Sequence, residues 1–430
     1  MITIATSTNP MTLQQTEAGQ IPNDWCVRPL KNILALCMDY RGRTPKKLGM
    51  EWGGGEILAL SANNVQMGTI DRTKEAYFGS VPLYERWMSR GDCEVGDVLI
   101  TTEAPLGNVT QIPDSSRYIL SQRVVLLRPC SFIAKDYLAY YMAGERFQSS
   151  LSRCASGTTA KGIQRTQLEL LQVAYPPTLA EQEAIAEALS DADAWIESLE
   201  ALVAKKRAVK QAVMQQLLTG RTRLPGFEGE WETKRLSQLG ATYGGLTGKT
   251  KGHFGDGNAR YIPFMNIMEN VIIDPEDLGL VDVEANESQN QVASGDLFFN
   301  GSSETPEEVG MCSFLEEELS NTYVNSFCFG FRLHPSIEED GRFLAYYLRS
   351  SAGRELMRSL AQGATRYNLS KKSLVALELR LPQPLEQRAI VTVLSDMDAE
   401  VSVITTKLAK SRQIKQGMMQ ELLTGKTRLV

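Results

Sequence analysis

Histidine is nearly missing: 2 in 430 residues, His253 and His334. Neither stands at a metal-ligand spacing or in a catalytic-triad context, so both read as surface or packing residues. Cysteine is sparse, with 7 residues scattered so that no CxxC pair forms. That pattern points to reduced, mostly buried thiols and a cytoplasmic setting. No apolar run reaches the roughly 18–20 residues that span a bilayer. The opening stretch, MITIATSTNPMTLQQTEAGQ, lacks a basic region and an apolar core, so residues 1–20 read as a flexible tail and not a signal peptide. Positive charge is not in excess either: the net charge of −6 is unusual for a dedicated nucleic-acid binder. A protein acting inside a larger complex need not be basic overall, because local clusters and partners supply phosphate contacts.

What the chain does have is a repeat. Glu181–Leu224 and Glu386–Leu429 align without a gap at an offset of 205, with 23 of 44 positions identical. The repeat extends outward. Ile21–Trp25 with Arg28-Pro29-Leu30 matches Leu224-Pro225-Gly226, Trp231 and Lys234-Arg235-Leu236, and Tyr137–Met142 matches Phe343–Leu348. Gly157-Thr158-Thr159 matches Gly363-Ala364-Thr365. Between these anchors the halves diverge; Ile57–Asp71 and Tyr261–Asp274 are alike only in pattern. Each half is therefore a shared frame around a variable middle, and internal symmetry of this kind suits a two-fold target such as duplex DNA.

The variable middles carry short β-like runs: Ile57–Leu60, Asp97–Ile100, Val124–Leu127, Asp296–Phe299 and Phe327–Leu333. Shorter helices are expected over Asp136–Ser152 and Gly341–Ala361. The matched segments follow a heptad. One seam runs Ile185, Leu189, Ala192, Ile196, Leu199, Val203, Val213, Leu217, broken at Lys206 and Lys210. The other runs Ile390, Leu394, Met397, Val401, Ile404, Leu408, Met418, Leu422, broken at Ser411 and Lys415. Matching seams imply that the helices pack on each other, with the polar breaks fixing register or facing a third partner. Gly220 and Gly425 are helix stops. A helix of roughly 38 residues is about 57 Å long, and two of them antiparallel would relate the modules by a pseudo-two-fold axis, against a DNA turn of about 34–36 Å.

The predicted fold is thus α+β: two similar globular domains joined by two long antiparallel helices forming a coiled coil. Expected boundaries are a tail at 1–20, domains at 21–178 and 221–384, long helices at 179–220 and 385–425, and a tail at 426–430.

With this order of parts, the chain resembles the specificity (S) subunit of Type I restriction–modification systems. The resemblance covers nearly the whole chain and rests on the two diverged modules, the Pro177–Gln182 and Pro382–Gln387 helix starts, and the QLLTGRTRL and ELLTGKTRL ends. It implies that each module is a target recognition domain reading one half of a bipartite, asymmetric site on double-stranded DNA. It further implies that the helices set the spacer and dock two methyltransferase (M) subunits, which carry S-adenosylmethionine and methylate adenine, with motor-nuclease (R) subunits joining. S-adenosylmethionine, ATP and Mg are expected on those partners, with no cofactor in this chain and no membrane contact. The other reading is a coiled-coil scaffold without DNA specificity of its own, which the acidic balance favours.

The residues agree with a non-catalytic chain. The Asn/Asp-Pro-Pro-Tyr/Phe motif of adenine methyltransferases is missing; Tyr175-Pro176-Pro177 lacks the amide or acid. Gly244–Thr250 nearly makes a phosphate-binding loop, but Tyr243 stands where its first glycine belongs, and Gln420 does so ahead of Gly425-Lys426-Thr427. Glu103 and Asp114 lack the lysine that would complete a nuclease site.

Reading bases takes Arg, Lys, Asn, Gln, Ser and Thr on loops, while phosphates take cations and backbone N–H groups. Four clusters qualify. Arg41, Arg43, Thr44, Lys46 and Lys47 correspond to Thr247, Lys249, Thr250 and Lys251, either as groove or phosphate contacts or as solvated turns. Thr158, Thr159 and Lys161 correspond to Thr365, Arg366, Tyr367 and Asn368; the resemblance puts this segment on the DNA side. Asn63, Asn64, Gln66 and Asn266 carry amides that suit adenine edges or turns equally. Ser121, Gln122 and Arg123 correspond to Asn325 and Ser326. On the helices, Lys205, Lys206, Arg207 and Lys210, with Lys410, Arg412 and Lys415, could follow the DNA backbone, face solvent or dock a partner.

Overall fold

The structure is a computed structural model and describes residues 12–74, 76–157 and 160–429. The chain divides into two compact units. One comprises residues up to Glu200 together with Lys407–Val430; the other is Ala201–Thr406.

In the first unit, the alternating and continuous apolar runs become a four-stranded antiparallel sheet. Its order is Leu106–Gln111, Val98–Thr102, Val124–Pro129, Leu34–Asp39. The two central strands are buried on both faces, which is why they read as unbroken apolar runs. Beside it, Ile57–Leu60 runs parallel to Tyr118–Leu120, with Leu58 opposite Tyr118. Cys26–Pro29 pairs with Gln172–Tyr175 and closes the module on its own beginning.

The second unit repeats this plan with different residues. Its four-stranded order is Gly240–Gly244, Cys328–Leu333, Leu297–Asn300, Cys312–Phe314. Phe254–Ile262 runs parallel to Thr322–Val324, with Tyr261 opposite Tyr323. Glu232–Arg235 and Glu378–Leu381 make the closing pair. The segments alike only in pattern therefore share the equivalent strand of the two sheets, with Leu58 opposite Tyr118 and Arg260 opposite Thr322. Each expected short helix is a pair: Lys135–Ala143 and Glu145–Cys154, then Gly341–Arg349 and Ser351–Ser359.

The long helices span Leu179–Leu217 and Pro384–Leu422. In the first unit, Ile185 and Leu189 from the start of the first helix share a core with Leu422, Leu423 and Leu429 from the end of the second. In the second unit the roles are exchanged: Ile390 and Leu394 pack with Leu217 and Leu218. The antiparallel seam is written in polar pairs. Lys415 binds Asp193, whose other oxygen accepts from Tyr140 Oη at 2.9 Å. The matching set in the second unit is Lys210 on Asp398, which accepts from Tyr346 Oη at 2.7 Å. One matched position differs: Trp195 Nε1 donates to Ser411 Oγ at 3.2 Å in the first unit, while Lys206 pairs with Glu400 at 2.6 Å in the second.

Where a flexible tail through Gln20 was expected, Leu13–Thr16 and Gly19–Pro22 form an antiparallel hairpin. The turn at Glu17-Ala18 joins two short runs whose backbone groups pair with each other; residues 1–11 lie outside the description.

Candidate nucleic-acid interface

In the first unit, the hub is Thr102, at the end of a central strand. Its N–H donates to Arg123 O at 2.8 Å, and its carbonyl accepts from Ile163 N at 2.9 Å. One hydrogen-bonded residue thus holds the Ser121–Arg123 turn beside the loop ending at Gly162. That loop is shut by reciprocal Ser156–Gly162 backbone bonds of 2.9 Å. Arg41 reaches the same place, donating from Nη1 to Ile163 O at 3.0 Å while its Nε and Nη2 bind Asp39.

Gly301 is the equivalent hub in the second unit. Its N–H donates to Phe327 O and its carbonyl accepts from Leu369 N, both at 2.9 Å. Ser302 and Ser303 pair with Asn368 and Tyr367, and Gln362 and Asn368 close the loop as Ser156 and Gly162 do. Both loops turn through a left-handed glycine, Gly157 at φ 113° and Gly363 at φ 125°. A Cβ there would stand 2.3 Å from Ala160 O or 2.1 Å from Arg366 O, so only glycine fits. The basic loop from Gly245 joins the group through Leu246 N, which donates to Val324 O at 2.9 Å.

The first unit's loops enclose a cleft of about 380 Å³, lined on its polar side by Arg43, Thr44, Ser61, Asn63, Gln122 and Arg123. Its apolar wall is Trp52 and Tyr77, with ring centroids 5.8 Å apart, over a buried Trp87 that donates to Leu120 O at 2.8 Å. Arg43 is anchored by Nη1 on Trp87 O and lies over the Tyr40 ring at 5.1 Å. Arg123 pairs with Glu103 at 3.5 Å. Thr44 caps the short helix Pro45–Leu48 by accepting from Lys47 N, and Lys47 Nζ donates to Gly42 O at 2.6 Å, leaving Lys46 and Lys47 exposed on a tight turn. Ser121 is buried against the cleft floor, and Gln66 Nε2 donates to Asn63 O at 2.8 Å. Trp52 and Tyr77 carry no sequence signal of their own: they are apolar residues in a divergent stretch, placed by the fold.

The structure takes four expected contact residues out of this surface. Asn64 is 0% exposed; its Nδ2 donates to Ala59 O and its Oδ1 accepts from Ser61 N, so the amide builds a turn. Asn266 donates to Asp274 O and Asp277 O, and Asn325 donates to Ile262 O and accepts from Phe327 N. Both are buried turn formers. Lys249 is turned inward, its side chain 2% exposed, and pairs with Glu287. That bond, with one from Gln289, holds the Glu287 carboxyl down at about 2. Thr247 and Thr250 remain exposed, bonded to Gln289 and His253, and Lys251 is exposed. Thr365, Arg366 and Asn368 are exposed, whereas Tyr367 packs partly on the core. Lys161 is exposed, and Thr158 and Thr159 lie outside the described residues. On the helices, Lys206, Lys210, Arg412 and Lys415 are engaged in helix-to-helix ion pairs, while Lys205, Arg207 and Lys410 stay exposed.

Among the described residues, no group of three or more His, Cys, Asp or Glu side chains could hold a metal ion, and no helix is long and apolar enough to cross a membrane.

Two α+β modules of one topology, each gathering loops around one strand end and each completed by both long helices, define a repeated recognition-type scaffold. The chain belongs to the Type I restriction modification DNA specificity domain family, which it matches twice, over residues 22–206 and 228–415. It is 24% identical to the type I restriction enzyme StySPI specificity subunit of Salmonella potsdam, across 94% of this chain and 89% of that one. In fold it resembles the Type I restriction–modification S subunit from M. genitalium, with a TM-score of 0.56 at 15% identity over 93% of this chain and 96% of that one. A chain from a structural study of complex assembly and conformational transition in the type I system gives a TM-score of 0.60 at 18% identity, over 94% and 99%.

Proposed function

We propose that this chain is the DNA-reading subunit of a Type I restriction–modification complex, with residues 21–178 and 221–384 as its two recognition domains. Each domain reads one half of a bipartite, asymmetric target. The helices Leu179–Leu217 and Pro384–Leu422 set the spacer and dock two methyltransferase subunits, and motor-nuclease subunits join them. The chain itself carries no catalysis; S-adenosylmethionine, ATP and Mg belong to the partners.

The observation that carries this reading is the convergence of Arg43, Asn63, Gln122 and Arg123 on one aromatic-walled cleft. Guanidinium and amide groups read base edges in the major groove, and the Trp52 and Tyr77 rings line the same cleft as the side chains that would do so. The differing side chains on one topology support two different half-sites. The relatives' description as specificity subunits supports the same role.

The test is adenine-methylation mapping in cells carrying the cognate methyltransferase subunit, with and without this chain. One bipartite, asymmetric motif that appears only with the chain is expected. An assembled complex without any chain-dependent motif would favour the scaffold reading.

A further inference from the structure

Phe327 is the exposed aromatic of the second unit's candidate surface, at 60% relative exposure. Its backbone is fixed on both sides: its N–H donates to Asn325 Oδ1 at 2.9 Å, and its carbonyl accepts from Gly301 N at 2.9 Å. Asn325 is itself anchored to Ile262 O at 3.1 Å. The ring is therefore presented to solvent by a turn that cannot easily fold it away. A large ring held out in water by a doubly bonded turn, beside the loops gathered at Gly301, is placed to be covered by whatever those loops contact.

The hydrogen-bond pattern gives Phe327 an exact counterpart. Arg123 O accepts from Thr102 N as Phe327 O accepts from Gly301 N. One position on the common frame thus carries a guanidinium in the first unit and a phenyl ring in the second. A guanidinium reaching base edges reads guanine O6 and N7 in the major groove. A ring at the same place meets that groove's apolar group, the 5-methyl of thymine.

We infer that Phe327 is a specificity-determining residue that reads the 5-methyl group of a thymine in the half-site of the second domain. This rests on the DNA-reading role proposed above. The ring contributes no hydrogen bond; it buries the methyl group and rejects the bases that lack one there.

The test uses the full chain assembled with its methyltransferase subunits, on duplexes carrying its mapped motif. Each thymine is replaced in turn by uracil, which removes only the methyl group. For the wild type, one replacement in one half-site should weaken binding about fourfold, the worth of one buried methyl-sized group. The same replacement should have no effect on a Phe327→Ala complex. A Phe327→Leu complex should keep part of the response, and the other half-site should respond alike in all three. A half-site without thymine, or an equal uracil response in wild type and Phe327→Ala, overturns the inference. Loss of binding in Phe327→Ala without any uracil response in the wild type also overturns it, in favour of a ring wedged between bases. Failure of the underlying role looks different: the assembled complex then binds no chain-dependent motif.

Discussion

Arg428 grips Glu181 through two hydrogen bonds, Nε to Oε1 and Nη2 to Oε2, and its remaining contacts go to Asp24. The second unit repeats the clasp with Arg223 on Glu386. Each arginine also lies over a tryptophan, Arg428 over Trp25 and Arg223 over Trp231, both at 6.0 Å. Glu181 and Glu386 are buried, so removing either arginine strands a buried carboxylate. Arg428→Ala should cost about 3–5 kcal/mol in the first unit and leave the second nearly unchanged. Arg223→Ala should do the reverse. Urea unfolding followed by hydrogen exchange resolved to each unit checks both.

Lys415 with Asp193 and Lys210 with Asp398 stand at matched breaks in the apolar seam, where a pair that forms in one register only would pin it. Lys415→Ala should destabilise the first unit by about 0.5–1 kcal/mol, because the Asp193 side chain is 43% exposed and water screens the pair. The double exchange Asp193→Lys with Lys415→Asp should recover part of that loss. A double-mutant cycle in chemical denaturation measures the recovery; no coupling would mean the pair does not set register.

Gly363→Ala forces a Cβ toward Arg366 O in a left-handed turn. The strain, about 1–3 kcal/mol, falls on an exposed loop, so thermal unfolding should shift little. Recognition by the second domain should be lost while the other half-site is still read. Gly157→Ala should give the mirror result, and methylation mapping distinguishes them.

Trp52→Ala removes one wall of the cleft. With that support gone the neighbouring Arg43 and Asn63 lose their placement; a good bidentate base contact is worth about 1–3 kcal/mol, so affinity for target DNA should fall roughly 5- to 150-fold, which binding titration at fixed salt would show.

Glu287 is held in its charged form by Lys249 and then Gln289, down to about 2. Its folded value lies below the usual carboxylate range near 4.3. The stabilisation of the Thr247–Lys251 loop is therefore complete above that range and is lost as pH falls from it toward 2. A carboxyl titration by NMR should place the Glu287 midpoint near 2, and Glu287→Gln should loosen the loop at neutral pH but make little difference near pH 2.

The frame of the fold was legible because the repeat fixes it twice and the heptad shows which faces meet. Lys206, Lys210, Ser411 and Lys415 stood out as breaks in the seam, and each has a partner on the other helix. The site was legible only at the level of loops. Their convergence depends on Thr102 and Gly301, which carry no motif because their contribution is backbone hydrogen bonding. Asn64, Asn266 and Asn325 illustrate why: an amide that reads adenine and one that builds a turn are the same residue in a sequence, and only its neighbours' backbone groups decide. Phe327 could have been found by extending the match of Ser121-Gln122 with Asn325-Ser326 one residue further, to Arg123.

The shared core of the first unit also has a consequence in time. Ile185 and Leu189 are covered by Leu422, Leu423 and Leu429, which are made only after the whole second unit has been synthesised. At about 5–20 residues per second, that apolar face waits roughly 10–45 s for its cover, whereas the second unit has all of its residues by Thr406. The module made first is the last to be sealed, so a ribosome stalled late in the message leaves the older half exposed and the younger half complete.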